Sequence, residues 1–178
     1  YNYNTHKLSL ECRLPPLSND FRSRAKDFIA RSWLYRRLKR TPGIWHLVKD
    51  DSGRIIVIYD RVYLFEPGQS TIFMKPLVQT IGEKNFESPM RNGCALHEKS
   101  QHIYFGEYVN DGREIIRIFK VDTNQQAISC CYEFSRQEIK HIHAIKYDPC
   151  RNRLWITTGD SDHESAFYYT DDEFKTVH

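Results

Sequence analysis

The sequence predicts an all-β fold, a partial β-propeller of three four-stranded blades preceded by a short strand and a basic amphipathic helix. Aromatic residues make up 13 % of the chain, and such residues favour half-buried strands. A segment with the same order of apolar runs and turns recurs three times, beginning at Trp45, Gly93 and Ala144, 48 and then 51 residues apart. This spacing is close to the period of a propeller blade, about 40 to 50 residues, and makes an antiparallel sandwich the second choice.

Residues 42–178 form the predicted blades, at about 42–90, 91–139 and 140–178. Apolar runs between turn-forming residues predict their strands: 45–48, 55–59, 62–65 and 71–74 in the first copy, 93–96, 103–106, 115–119 and 128–132 in the second, and 144–147, 154–157 and 166–169 in the third. The third copy reaches its expected last strand at 176–178. Because a ring closes with about four to eight blades, we expect missing blades or self-association.

Residues 1–41 hold the predicted N-terminal strand and basic helix. Apolar and polar residues alternate over 8–14 before Pro15 and Pro16, which predicts a short strand that completes a distant blade. Asn19 or Asp20 can cap a helix after it. Apolar residues then recur at the spacing of one helical face: Phe21, Ala25, Phe28, Ile29 and Trp33.

The predicted helix carries most of the positive charge of the chain. Residues 21–40 contain eight Lys or Arg and one acid, a net charge of +7, whereas residues 41–178 sum to −4. We expect the apolar stripe to pack on the blades with the arginines in water. Alternatively, this helix binds a membrane surface or an acidic partner and tethers a non-catalytic interaction scaffold, with nucleic acid the less favoured partner.

The cysteines and the hydropathy indicate a cytoplasmic protein with at most a peripheral membrane association. The five cysteines form no CxxC pair, which predicts reduced, mostly buried thiols rather than disulfides or a zinc knuckle: Cys12, Cys94, Cys130, Cys131 and Cys150. No run approaches the roughly 20 apolar residues that span a bilayer.

A turn near the end of the chain resembles a known propeller family. Residues 170–176, Thr-Asp-Asp-Glu-Phe-Lys-Thr, resemble the Asp-box, the Ser/Thr-x-Asp-x-Gly-x-Thr-Trp turn of BNR and sialidase-like propellers, with Phe174 in place of the glycine and Val177 in place of the tryptophan. Residues 141–172 further resemble uncharacterised bacterial propellers associated with polysaccharide biosynthesis. The resemblance implies a propeller that recognises a carbohydrate, in which the Asp-box itself is a folding device.

The candidate site lies where loops enter the first strands and leave the second strands, because both sets of loops share one end of a propeller. His141 and His143 share a side at a spacing of two, and Asn92 is the equivalent of His143 in the second copy. Acids follow the second strands of all three copies, and the third copy adds another acid. The candidate ligand-binding residues are His141, His143, Asn92, Glu107, Asp160 and Asp162, and the candidate catalytic acids are Asp160, Glu107 and Asp60.

Two kinds of chemistry fit this set. His141 and His143 are candidate ligands of a divalent metal, and paired carboxylates can cleave a glycosidic bond. Alternatively, the acids are solvated loop residues and the histidines bond to backbone carbonyls. A sialidase-like hydrolase would also need an arginine cluster, for which the candidates are Arg54, Arg91, Arg117 and Arg136.

Several enzyme classes lack support in the sequence. We find no Walker loop, no GxGxxG after a strand, no HExxH, no GxSxG and no EF-hand loop. The sequence therefore does not decide whether the chain is an enzyme.

Overall fold

The computed structural model describes residues 12–15, 21, 25, 28–29, 32–39, 44, 46–59, 61–77, 80–81, 84–85, 87–110, 112 and 114–178. Each repeat forms its own antiparallel sheet, so the predicted partial β-propeller is confirmed. Blade 1 contains β1 (His46–Lys49), β2 (Ile55–Ile58), β3 (Val62–Phe65) and β4 (Lys75–Pro76). A separate hairpin that the repeat did not predict follows it, with β5 (Thr80–Ile81) and β6 (Lys84–Asn85).

Blades 2 and 3 repeat the same strand order. Blade 2 contains β7 (Cys94–His97), β8 (His102–Gly106), β9 (Ile115–Asp122) and β10 (Ala127–Ser135). Blade 3 contains β11 (Ile142–Asp148), β12 (Arg153–Thr158) and β13 (Phe167–Thr170). Tyr169 and His178 exchange two backbone hydrogen bonds of 2.9 Å, which begins the pairing of a fourth strand at the predicted place.

The first hairpin of every blade turns in the same way. The fourth residue of each turn adopts a left-handed backbone conformation, with φ of 85° at Gly53, 58° at Gln101 and 53° at Asn152. Glycine and asparagine adopt this conformation at low cost. The shared geometry supports the alignment of the three repeats.

Apolar layers between the blades hold the sheets face to face. The layer between blades 1 and 2 is built from β2 and β3 on one side and from β8 and β9 on the other. The layer between blades 2 and 3 joins residues of β8 and β9, such as Tyr104 and Ile118, to residues of β11 and β12, such as Ile145 and Ile156. The first strands lie side by side, since β7 contacts both β1 and β11. This stacking of sheets around adjacent innermost strands is the arrangement of a propeller.

The N-terminal strand pairs with blade 1. Arg13 N donates to Ile72 O, and Arg13 O accepts from Met74 N, both at 2.8 Å. Cys12 and Leu14 cover the outer face of this blade. The expectation of a distant blade is therefore wrong for the described residues 12–15, and residues 8–11 lie outside the described part. Because residues 72–74 bond to Arg13, the predicted strand 71–74 is also wrong, and the fourth strand begins at Lys75.

The apolar stripe of the basic segment faces solvent. Phe21, Ala25, Phe28 and Ile29 are helical, and helix α1 (Trp33–Lys39) follows, with Ser32 Oγ accepting from Tyr35 N at 3.2 Å as an N-cap. The exposed fractions of Phe21, Phe28 and Trp33 are 86 %, 79 % and 70 %. The expected packing of this stripe on the blades is wrong for these described members. The predicted caps Asn19 and Asp20 lie outside the described residues.

All five cysteines are free thiols, as predicted. Cys12, Cys94, Cys130 and Cys131 are half-buried rather than fully buried, and Cys150 is exposed. Burial raises the pKa of Cys94 and Cys131 to about 12 and that of Cys130 to about 11, so these three thiols are poor nucleophiles at neutral pH. Among the described residues, no helix is both long and apolar enough to cross a membrane.

The interblade layer predicts a strong contrast between two isoleucines of β9. Ile118 is fully buried between blades 2 and 3, whereas Ile115 on the same strand is 45 % exposed. Ile118→Ala should lower the free energy of unfolding by about 2–5 kcal/mol through lost burial and a new cavity, and Ile115→Ala by about 0.5 kcal/mol or less. Urea denaturation measures both, and equal losses would contradict the stacked arrangement of the blades.

Candidate functional site

The two candidate histidines lie at the start of β11. His141 directly precedes the strand, and His143 lies in a β-bulge, because the pairing with β12 shifts between Ile142 and Ala144. A bulge inserts one unpaired residue and redirects its side chain, which is why bulges are common beside active sites. Here the bulge places both imidazoles together, with ring centroids 4.8 Å apart.

A glycine of blade 2 allows this segment to approach. A Cβ at Gly106 would come within 2.6 Å of the Ile142 side chain, closer than carbon atoms approach in proteins. Ile142 N donates to Glu107 O at 3.2 Å, which fixes the start of β11 against the end of β8. The histidines flanking Ile142 are therefore held at the contact between blades 2 and 3.

A second glycine brings Asp160 to the histidines. Gly159 has φ of 76°, and a Cβ there would come within 2.1 Å of the Glu164 carbonyl group. The loop after β12 therefore folds back on itself, with Thr158 Oγ1 donating to Glu164 O at 3.0 Å. This compact loop directs the side chain of Asp160 towards β11.

His141, His143 and Asp160 form a nearly equilateral triangle of polar atoms. His141 Nε2 lies 2.9 Å from His143 Nε2, and Asp160 Oδ1 lies 3.1 Å from the first nitrogen and 3.0 Å from the second. The other carboxylate oxygen, Oδ2, lies 3.2 Å from Lys140 Nζ. Hydrogen bonds from His141 and Lys140 lower the pKa of Asp160 to about 2, so this carboxylate is ionised at neutral pH.

The three residues differ in their access to solvent. The side chain of His141 is fully buried, whereas those of His143 and Asp160 are 33 % and 45 % exposed. The ring of Tyr108 lies on His141 at a centroid distance of 4.2 Å, and His141 Nδ1 lies 3.3 Å from Val109 O. Because a carbonyl can only accept, this nitrogen carries a proton in that hydrogen bond. The site is thus closed on the Tyr108 side and open beyond His143 and Asp160.

A cavity of about 400 Å³ lies next to Tyr108 and Val109, and the three residues of the triangle are not among its lining residues. It is lined by Glu87, Tyr108, Val109 and Asn110, of which Tyr108 and Val109 also contact His141. A volume of this size is within the range of small-molecule sites, about 300–1,000 Å³.

Glu107 does not belong to the open site. It is fully buried, and its carboxylate accepts from Arg117 Nε at 2.9 Å and Nη2 at 2.7 Å, and from Glu87 N at 2.8 Å. A buried charge with a bidentate arginine partner stabilises a fold only while that pair is intact. Glu107 therefore stabilises the packing of the strands and is not one of the exposed acids that were predicted to follow the second strands.

The acids after the second strands also differ in position. Glu107 N donates to Arg117 O, and Thr158 N makes the corresponding bond to Ala166 O. Thr158 is therefore the equivalent of Glu107, and Asp160 lies two residues further along a different loop. The expectation that these acids recur at one place is wrong for blades 2 and 3, and Asp60 lies outside the described residues.

The remaining predicted ligands lie beside the triangle. Asn92 O accepts from Ile145 N at 2.9 Å, which joins the entrances of blades 2 and 3, and its side-chain oxygen lies 3.5 Å from Lys146 Nζ. Asp162 is exposed in the loop of Asp160. Sequence reasoning missed Lys140 and Tyr108. The available signal was their position, because Lys140 directly precedes His141 and Tyr108 directly follows Glu107.

Three of the four arginines proposed for a sialidase-like site have separate partners in the described structure. Arg54 Nε bonds to Asp50 in the first turn of blade 1, at the opposite end of the sheets. Arg117 pairs with Glu107, and Arg136 Nη1 donates to Lys140 O at 2.5 Å. These three arginines therefore bind different partners and do not form a cluster.

The opposite end of the blades carries a second polar cluster. His102 Nδ1 lies 2.7 Å from Glu173 Oε2, which also accepts from Tyr104 Oη. A neighbouring cavity of about 500 Å³ is lined by charged side chains and by two half-buried thiols. Glu173 lies in the 170–176 turn, which Asp172 closes by accepting from Thr176 N at 2.9 Å. These contacts hold blade 3 to blade 2, so the cluster has a structural role.

The described fold is similar to that of a solved gluconolactonase from Xanthomonas campestris. The TM-score is 0.51 at 11 % identity, and the match covers 74 % of this chain and 45 % of that chain. The likeness is to a β-propeller. At this identity it shows the fold alone, and this chain spans less than half of that protein's length. No protein-family model matches the chain, and no curated protein does so either.

The fold of the Asp160 loop predicts a large effect of a small substitution. Gly159→Ala should lower the free energy of unfolding by roughly 2–4 kcal/mol, because the added methyl group collides with the backbone of Glu164. The matched control is Gly68→Ala, where φ is 78° but no atom lies within 4 Å, so that only the cost of the left-handed conformation, about 1–2 kcal/mol, applies. Denaturant titration compares the two variants. Equal losses would mean that the loop does not need the glycine for its close approach.

Proposed function

We propose that this propeller recognises a carbohydrate through the end of the blades that carries His141, His143 and Asp160. The observation that carries the proposal is the partly exposed pair His143 and Asp160 beside His141, whose ring is covered by Tyr108, a residue that also lines a cavity of about 400 Å³. Sugars present hydroxyl groups next to apolar C–H faces. A carboxylate and imidazoles can hydrogen-bond the hydroxyls while the phenol ring covers an apolar face.

Two further observations support a sugar-type ligand. The chain resembles BNR-like propellers that accompany polysaccharide biosynthesis, and its 170–176 turn is closed by Thr170, Asp172 and Thr176 as an Asp-box turn would be. The solved protein with a similar fold is described as a gluconolactonase important in glucose secondary metabolism. A role in surface polysaccharide metabolism is consistent with both.

Binding is favoured over hydrolysis of the sialidase-like type. A glycosidase of the usual kind needs two carboxyl groups that flank the scissile bond. Of the predicted acids, Asp160 is available, whereas both oxygens of Glu107 contact Arg117 in the core. Of the three predicted catalytic acids, Asp160 is therefore the one that the described residues leave open to solvent, since Glu107 is buried and Asp60 lies outside the described residues.

Saccharide binding by the 178-residue chain tests the proposal. Saturation-transfer NMR with neutral and acidic mono- and oligosaccharides should detect binding. Tyr108→Ala and Asp160→Ala should each weaken it by about tenfold or more, the effect of losing one hydrogen bond to a charged group or one ring contact. His163→Ala is the matched control, because His163 is an exposed residue of the Asp160 loop whose Nδ1 lies 3.3 Å from Ser161 Oγ.

The proposal fails if no saccharide binds, or if the Tyr108 and Asp160 variants bind like the control. A fluorogenic glycoside assay on the same proteins separates binding from catalysis. Sustained turnover that is lost in Asp160→Asn would assign the chain to the hydrolases.

The exposed apolar stripe favours a second function, attachment to an anionic membrane surface. Phe21, Phe28 and Trp33 face solvent within a segment of charge +7. A helix with these two properties lies in the interface of an anionic bilayer, with its aromatic side chains among the acyl chains and its cations at the headgroups.

Vesicle co-sedimentation tests this attachment. The chain should sediment with vesicles of about equal parts phosphatidylserine and phosphatidylcholine, and less at high salt. Phe28→Ser combined with Trp33→Ser should weaken binding by at least about tenfold, because each ring loses about 1.5–3 kcal/mol of burial. Phe167→Ser, which changes an equally exposed aromatic residue on blade 3, should have no effect. Equal binding by all three proteins would refute the role of the helix.

A further inference from the structure

We propose that His141, His143 and Asp160 form a binding site for a divalent transition-metal ion of the Zn²⁺ class. The three residues offer His141 Nε2, His143 Nε2 and Asp160 Oδ1, which lie within 4.8 Å of one another. This site uses the same side chains as the proposed carbohydrate site. It stands on its own geometry, so either proposal can fail without the other.

The spacing of the three atoms suits a small cation. Their separations are 2.9, 3.0 and 3.1 Å. Atoms at the corners of such a triangle lie about 1.7 Å from its centre, and Zn–N and Zn–O distances of about 2.0–2.1 Å place an ion about 1.1 Å outside their plane. Two imidazoles and one carboxylate on one side of the ion leave a position for water or a ligand on the other, as in catalytic zinc sites.

The charges of the three groups also call for a cation between them. His141 Nδ1 donates to Val109 O, so Nε2 is the ring nitrogen that remains for a cation. It lies 3.1 Å from Asp160 Oδ1 and 2.9 Å from His143 Nε2. Converging lone pairs repel unless a proton or a metal ion lies between them.

The surroundings orient the ligands as the surroundings of a metal site do. The Val109 carbonyl fixes the tautomer of His141, and a carbonyl partner on the second ring nitrogen is the usual companion of a metal-bound histidine. Tyr108 fixes the plane of the ring from one side. Lys140 bonds to Asp160 Oδ2 and leaves Oδ1 directed at the imidazoles.

The donor atoms select the class of ion. Two imidazole nitrogens and one carboxylate oxygen suit Zn²⁺, Co²⁺ or Ni²⁺, whereas Mg²⁺ and Ca²⁺ prefer six or more oxygen ligands. Zn²⁺ is therefore the probe for affinity, and Co²⁺ is the probe for coordination because its visible absorption reports the number and type of ligands.

Isothermal titration of the 178-residue chain with Zn²⁺, without any saccharide, tests the site. One ion should bind with a dissociation constant in the micromolar range or below. His143→Ala and Asp160→Ala should each weaken it by about 100-fold, since loss of an outer-shell partner alone typically costs 10–100-fold in metal affinity. Both side chains are partly exposed, so their removal spares the core, whereas His141 is buried and is left in place.

The controls separate this site from other metal-binding groups. His163→Ala removes an exposed histidine of the same loop and should bind Zn²⁺ like the unchanged protein. With Co²⁺, ligation by nitrogen and oxygen gives weak visible bands, whereas binding to the cysteines adds strong near-ultraviolet charge transfer. Circular dichroism checks that every variant is folded.

Two outcomes would overturn the proposal. One is the lack of saturable Zn²⁺ binding, in which case a proton alone occupies the triangle. The other is binding that persists unchanged in both His143→Ala and Asp160→Ala, or that shows thiolate charge transfer. Saccharide binding measured separately in the presence of EDTA shows whether carbohydrate recognition survives without the ion.

Discussion

The contact between Gly106 and Ile142 is the constraint on which the candidate site depends. A Cβ at position 106 would collide with the Ile142 side chain, so glycine there lets the start of β11 approach the end of β8, and the Ile142 amide bonds to Glu107 O. Ile142 is itself fully buried in the layer between blades 2 and 3. Burial of this side chain anchors the segment and thereby fixes the positions of the two flanking histidines.

Two acids with the same sequence context have different roles because their loops differ. Glu107 directly follows β8, where the neighbouring strand offers Arg117, and the pair is buried together. In blade 3 the equivalent residue is Thr158, and Gly159 reverses the chain before Asp160. The reversal carries Asp160 out of the sheet and over the imidazoles. A buried carboxylate fixed by an arginine serves the fold, and a half-exposed one among imidazoles is free to serve a ligand.

The sequence was sufficient for features that depend on local pattern. Apolar runs predicted the first three strands of each blade to within three residues. His141 and His143 do lie together, but through a bulge rather than through the regular alternation of a strand. Features that depend on distant contacts could not be predicted in this way. Residues 71–74 read as a strand of blade 1, but their backbone bonds to Arg13, and nothing near either segment encodes that pairing.

The same limit explains the misassigned acids. A carboxylate after a strand looks alike in every copy, and only the three-dimensional partner, Arg117 for Glu107 or the imidazoles for Asp160, decides its role. The bulge at His143 and the left-handed Gly159 have no reliable signature in a single sequence. Both are local departures from regular geometry, and such departures concentrate where a fold supports a site.

The site is built from residues of two blades, which couples ligand binding to the packing of those blades. All three ligand atoms belong to blade 3, whereas the groups that orient His141, the Val109 carbonyl and the Tyr108 ring, belong to the loop between β8 and β9 of blade 2. A ligand that binds the triangle therefore favours the arrangement in which the two blades are packed together. By linkage, binding at the triangle stabilises the interblade layer, and a change that populates a loosened layer lowers the apparent affinity of the site in proportion to the packed fraction that is lost.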